Sequence, residues 1–158
     1  MGEESVLSEQ ANVLEKPIAE YETAYAAFKA CAETYPADLR QAVGVTDEWS
    51  AQDVIAHLNG WFVEGQRRFK RFPRGTGKVQ YNVDTFNKVS LWLRESKDYD
   101  DLLEELDTLS TEFVTSLQAL PPARIERESR YADWLEDMTR EMKDHRAQMM
   151  AFLEQQGV

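Results

Sequence analysis

The sequence predicts an all-α protein folded as a four-helix bundle, on three observations. Nearly every segment repeats apolar residues at three- and four-residue steps, and no run of alternating β-branched residues competes with that period. The helix breakers Pro36, Pro73, Gly75, Gly77, Pro121 and Pro122 fall between the periodic segments. At 158 residues the chain suits a single domain, 1–158, large enough to bury about two thirds of the surface its unfolded form exposes.

The first long helix carries Ile18, Tyr21, Tyr25, Phe28 and Ala32 on one stripe and stops before Pro36. Pro17 is expected to open it, because proline suits a first turn and breaks a helix interior; residues 5–15 then form a separate lead-in turn or short helix. Ser50 followed by Asp53 reads as a capping box with Asp in place of Glu, starting a second helix that runs to about Phe72 through Val54, Leu58, Trp61, Phe62 and Phe69. PRGTGKVQYN follows as the longest connection of the chain, between the second and third helices. A shorter third helix, Val83 to Arg94, is expected to bury Phe86, Val89 and Leu93. The fourth carries Leu102, Leu106, Leu109, Phe113, Leu117 and Leu120 and ends at Pro121 and Pro122. The last spans about Tyr131 to Gln156 and closes at Gly157, a residue suited to the position just past a helix. Four main amphipathic stripes have no way to be buried separately, so they pack together.

Formal charge is −11, from 18 cations and 29 acids, which opposes binding to nucleic acid or to anionic lipid. One stretch runs the other way. Residues 66–78 hold Arg67, Arg68, Lys70, Arg71, Arg74 and Lys78 without an acid, leaving 12 cations against 29 acids, or −17, elsewhere. The plainer reading lets these cations close the C-terminal end of a helix; the other makes them an anion-attracting rim. No apolar span is long enough for a bilayer and the acidic start is unlike a secretory signal, so a cytoplasmic protein is expected. Cys31 is the only cysteine, in a small-residue helix, and reads as core filler.

The chemistry concentrates on the two histidines. The seam of the last helix, Leu135, Met138, Met142, Met149 and Phe152, has one gap, and His145 fills it. Glu141 stands four residues earlier, roughly 5–6 Å away on the same face. His57 lies between Val54 and Trp61 and also points inward. Two imidazoles and a carboxylate on facing helices form a ligand set for zinc or a similar divalent ion, with a position left open, as at catalytic sites. Asp53 and Asp144 are candidates to orient the imidazoles from behind. The competing reading is a pair of hydrogen-bonded core histidines beside a solvated glutamate.

DEWSAQDVIAHLNGW (47–61) together with EMKDHRAQMMAFL (141–153) resembles the DinB-like four-helix-bundle superfamily: Trp49 and Ser50 lead into a helix with a central His57, and the final helix carries His145, Arg146 and Gln148. NVDTFNK before a long acidic helix is similar to the ClbS/DfsB-like branch. The resemblance implies a divalent metal, commonly zinc or nickel, held by three side chains, here His57, Glu141 and His145. The usual member has histidine where this chain has Glu141, whereas the mycothiol-dependent isomerase relatives are similar in using a His, Glu, His set. It further implies a metal-dependent thiol S-transferase or related detoxifying enzyme that acts on small electrophiles with a thiol such as bacillithiol or mycothiol. In that reading Arg67 and Arg68 steer the anionic thiol, Trp61, Trp92 and Trp134 wall the pocket, and the protein is a homodimer. The alternative is a metal-free protein that binds small toxic molecules, of the ClbS/DfsB-like type.

Overall fold

The computed structural model describes residues 13–75 and 77–158, and among them it contains only helices, turns and loops. The helices are α1 (Glu15–Glu33), α2 (Ala51–Arg71), α3 (Val83–Leu93), α4 (Tyr99–Gln118), α5 (Pro122–Arg127) and α6 (Arg130–Gln155). Single 3-10 turns occur at Ala37–Leu39 and Phe72–Arg74. No helix is long and apolar enough to cross a membrane among the described residues.

The long helices α1, α2, α4 and α6 form the bundle. α1 lies along α6 and α2 along α4, with α2 also touching α6 and α1 touching α4. Their stripes meet in one core, in which Tyr21, Phe62 and Phe113 pack at ring separations of 5.3–6.3 Å. Removing a ring such as Phe113, fully buried, costs about 3–5 kcal/mol by lost burial and the cavity left behind. Two polar tips inside the core find partners: Tyr21 Oη bonds Ser110 Oγ at 2.6 Å, and Tyr99 donates to the Ala32 carbonyl at 2.6 Å.

Several boundaries differ from expectation for identifiable reasons. Pro17 does not open α1; it is the third helical residue, where its missing N–H would lack an intrahelical partner anyway. Of the expected lead-in over 5–15, residues 5–12 lie outside the described residues, 13–14 form a turn and Glu15 already belongs to α1. The connection 72–82 is not the longest: 34–50, between α1 and α2, exceeds it. That segment is docked, not loose. The Trp49 carbonyl accepts from the N–H groups of Gly44, Val45 and Thr46, and Gly44, at φ +132°, lies so near Phe152 that a Cβ would come within 2.8 Å of the ring. Pro122 starts the additional short helix α5 instead of merely ending α4.

The C-terminus of α6 follows the expected glycine logic. Gly157 has φ +78°, its N–H bonds the Glu154 carbonyl, and the Val158 N–H bonds that of Leu153.

The third helix corrects the sequence reading. Phe86 is half-buried, but Val89 and Leu93 are 46% and 62% exposed, and the buried residue of α3 is Ser90. α3 is not part of the four-helix core. It packs on α2 through Ser90, which sits where a Cβ on Gly60 would come within 2.2 Å of its hydroxyl. Val89 and Leu93 of the apolar stripe therefore face away from the bundle, whereas Phe86 packs on Trp61 at a ring separation of 4.1 Å.

Candidate metal centre

Ser50 and Asp53 start α2 with a reciprocal cap: Ser50 Oγ accepts from the Asp53 N–H at 3.1 Å and Asp53 Oδ2 from the Ser50 N–H at 3.0 Å. That fixes the rotation of α2, so that His57 falls on the inward face with Val54 and Leu58. On α6, His145 continues the buried row of Met138, Met142 and Met149, with Glu141 one turn before it. The three side chains converge. Glu141 Oε2 lies 3.2 Å from His57 Nε2 and 2.9 Å from His145 Nε2, and one ligand atom from each residue falls within 4.8 Å of the others.

Hydrogen bonds behind the rings decide what those atoms present to each other. The Trp61 indole N–H, which is only a donor, meets Asn87 Oδ1 at 2.9 Å, so that atom is the amide oxygen. His57 Nδ1, also 2.9 Å from it, then carries the hydrogen, and Nε2 keeps its lone pair. His145 Nδ1 stands 2.8 Å from Gln148 Oε1, which gives the same tautomer. In the neutral rings two imidazole lone pairs and a carboxylate oxygen thus face one another. Such an arrangement is repulsive until positive charge enters it, as a proton or as a cation.

The donor set fits a divalent ion. Tetrahedral coordination with bonds of about 2.0–2.1 Å sets neighbouring ligand atoms about 3.4 Å apart, and the separations of 3.2 and 2.9 Å to Glu141 fall about half an ångström or less short of that. Once protonated, the two rings donate through Nε2, and these hydrogen bonds, that of His145 first, hold the Glu141 carboxyl well below the usual carboxylate range, against the opposing effect of burial.

Aromatic residues surround the cluster. The Trp49 ring lies 4.7 Å from the His57 ring and 6.4 Å from that of His145, and the two imidazoles meet edge to face at 5.1 Å. Thr46 Oγ1, accepting from the Trp49 N–H at 3.1 Å, secures this tryptophan. On the other side Glu141, the most exposed of the three, opens onto a cleft of about 380 Å³ lined by Trp61, Tyr81, Trp134, Met138 and Arg140.

The structure brings together His57, Glu141 and His145, as expected, but not the other expected contributors. Asp53 is occupied by the cap, and Asp144 is exposed on another face; the imidazoles are oriented by Asn87 and Gln148. Arg67 and Arg68 do not line the cleft. Arg67 forms a bidentate pair with buried Glu64, and Arg68, itself buried, donates to the Gly77 carbonyl at 3.0 Å, so they secure the end of α2 and the segment after it. Tyr81 donates to the same Glu64 at 2.9 Å, which places its ring on the cleft wall. Trp61 and Trp134 wall the cleft, whereas Trp92 is 66% exposed elsewhere. The cation at the rim is Arg140, which no local charge excess marks in the sequence because it stands among Asp137, Glu141, Lys143 and Asp144.

A family model described as the mycothiol maleylpyruvate isomerase N-terminal domain matches residues 21–150. The chain belongs to that family. The family is one of the DinB-like four-helix folds, in agreement with the resemblance of the two histidine segments. The match runs from α1 into α6 and includes His57, Glu141 and His145. No curated protein and no solved structure matches the chain significantly.

Proposed function

We propose that this member of the family is a divalent-metal-dependent enzyme, a thiol S-transferase or a related detoxifying activity, that joins a low-molecular-weight thiol to a small electrophile. One observation carries the reading. Asn87 and Gln148 hold both imidazoles in the tautomer that turns their Nε2 lone pairs onto Glu141, an arrangement that suits a cation between them better than an empty hydrogen-bonded cluster.

His57, Glu141 and His145 would hold zinc or nickel, which supplies a Lewis acid that lowers the pKa of a thiol or water at an open position. The chain's own side chains do the rest. Trp49 covers the two rings and limits the approach of water from that side, while Trp61, Trp134 and Tyr81 offer flat apolar surface for the carbon frame of an electrophile. Arg140, paired with Asp137 at 2.7 Å, sits at the rim where an anionic thiol such as mycothiol or bacillithiol enters. The family's name supports mycothiol as the first thiol to try.

The test is calorimetric titration of mycothiol, and of bacillithiol as a second thiol, into zinc-loaded and metal-free protein near pH 7. A free thiol is largely protonated there, so binding as thiolate releases close to one proton, read from the dependence of heat on buffer. The proposal expects binding with proton release in the loaded protein alone. If neither thiol binds the loaded protein, or both bind the metal-free protein equally well, it fails, and the second outcome returns the chain to metal-free sequestration.

A further inference from the structure

We infer that one turn of α2, from Trp61 to Gly65, builds a slot beside the candidate metal centre that selects electrophiles carrying a flat unsaturated ring and rejects globular ones. Glu64 and Gly65 stand three and four residues after Trp61, so the three positions share one helix face. Trp61 is the floor of the slot. Its indole is pinned by Asn87 Oδ1 at 2.9 Å and by the Phe86 ring at 4.1 Å. Tyr81 stands nearly upright on it, at 5.1 Å and 76°, and Trp134 adjoins it at 6.0 Å and 47°. Among the described residues Tyr81 and Trp134 make no ring contact with each other, so the cleft of about 380 Å³ that both line runs between them.

Each wall is set by its own residue of that turn. The Glu64 side chain, 8% exposed, accepts from the Tyr81 hydroxyl at 2.9 Å and from Arg67 through both oxygens, at 2.8 and 3.1 Å. A buried carboxylate held by three donors has no freedom to rotate without stranding its charge, so the phenol, and the ring behind it, stay upright. Glu64 is thus a positioning residue, acting through Tyr81. Gly65 acts by having no side chain: a Cβ there would lie 3.1 Å from the Trp134 ring, so only glycine lets that wall come as close to α2 as it does.

Two fixed aromatic walls over an aromatic floor favour a flat π partner, which meets rings by face or edge at about 4.5–7 Å, over a rounded aliphatic frame that cannot approach all three. The substrate class this names, a quinone or another unsaturated ring, rests on the proposed transfer reaction; the preference for flat rings does not, since neither wall contains a metal ligand.

The test is ligand-detected NMR titration of 2-naphthol and 1-adamantanol, inert alcohols of equal carbon count, one flat and one globular, into metal-free and zinc-loaded protein without thiol. The wild type is expected to favour naphthol about tenfold. Tyr81→Phe keeps the ring but loses its anchor, and the ratio falls toward one. Glu64→Gln still offers Tyr81 an acceptor and retains the wild-type ratio. Gly65→Ala moves Trp134 by a few tenths of an ångström and weakens naphthol about threefold. A wild type without the preference, a Tyr81→Phe variant that keeps it, or a Glu64→Gln variant that loses it would each overturn the inference. Loss of the preference in a protein that still binds zinc overturns the slot and leaves the transfer reading in place; a preference that persists in a chain unable to take up zinc upholds the slot and overturns that reading.

Discussion

The Trp61 indole N–H meets Asn87 Oδ1 at 2.9 Å, and this contact determines which nitrogen of His57 turns its lone pair toward Glu141. Without it the amide is free to flip and His57 to change tautomer. Asn87→Leu is therefore expected to lower metal affinity about 10–100-fold, the usual effect of losing a group that orients a ligand. Asn87→Asp, which still accepts both hydrogen bonds, should retain most of it. Competition titration with a metal indicator distinguishes the two variants.

Glu141 is the hinge of the cluster, since its Oε2 contacts both imidazoles. Glu141→Gln removes the anion and is expected to weaken metal binding more than Asn87→Leu does. Glu141→His restores a ligating atom at the same point of α6 and should bind again. Equal affinity of wild type and Glu141→Gln by the same titration would count against direct ligation.

Gly60→Ala sets two effects against each other. A helix-interior alanine is favoured over glycine by up to about 1 kcal/mol, but its Cβ would lie 2.2 Å from Ser90 Oγ and 2.6 Å from Ser90 Cβ. Overpacking of this kind costs typically about 1–3 kcal/mol. Net destabilisation is expected in chemical denaturation, with partial recovery in the Gly60→Ala, Ser90→Gly double variant, because removing the Ser90 side chain clears the space.

Glu105 ties α4 to α2 and to the end of α3, accepting from Asn59 at 2.7 Å, Arg94 at 2.7 Å and Lys97 at 2.8 Å. Burial raises its pKa, but the hydrogen bonds from Lys97 and Arg94 outweigh burial and leave the carboxyl below its ordinary 4.5. A depressed folded pKa gives stability that is present above the unfolded value and lost as pH falls through the folded one. Wild-type stability should thus decline below pH 4.5. Glu105→Gln is expected to cost about 1–3 kcal/mol at neutral pH and to show a shallower acid decline, measured by urea denaturation at stepped pH.

The bundle was legible because α1, α2, α4 and α6 each carry a stripe that meets the core, and the Ser50–Asp53 cap and Gly157 announce two of the ends. The two histidines of the cluster were legible for the same reason: His57 and His145 occupy stripe positions, so helical period alone turned both inward. α3 misled because helical period groups apolar residues on one side without saying whether that side meets the bundle, and Val89 and Leu93 point away from it. Arg67 and Arg68 misled because a cluster of cations does not reveal the acceptors it folds onto, here Glu64 from the turn before for Arg67 and the Gly77 carbonyl for Arg68. Asn87 was hidden by distance, standing 30 residues from His57 as one polar residue between the apolar positions Phe86 and Val89.

The most direct measurement is the metal content of the protein, expressed without chelators, purified without a nickel column and analysed by inductively coupled plasma mass spectrometry beside the His57→Ala variant. The account predicts close to one divalent ion per chain in the wild type and a substantial loss in the variant. A wild type that carries no stoichiometric ion and takes up none on titration with zinc or nickel would contradict it.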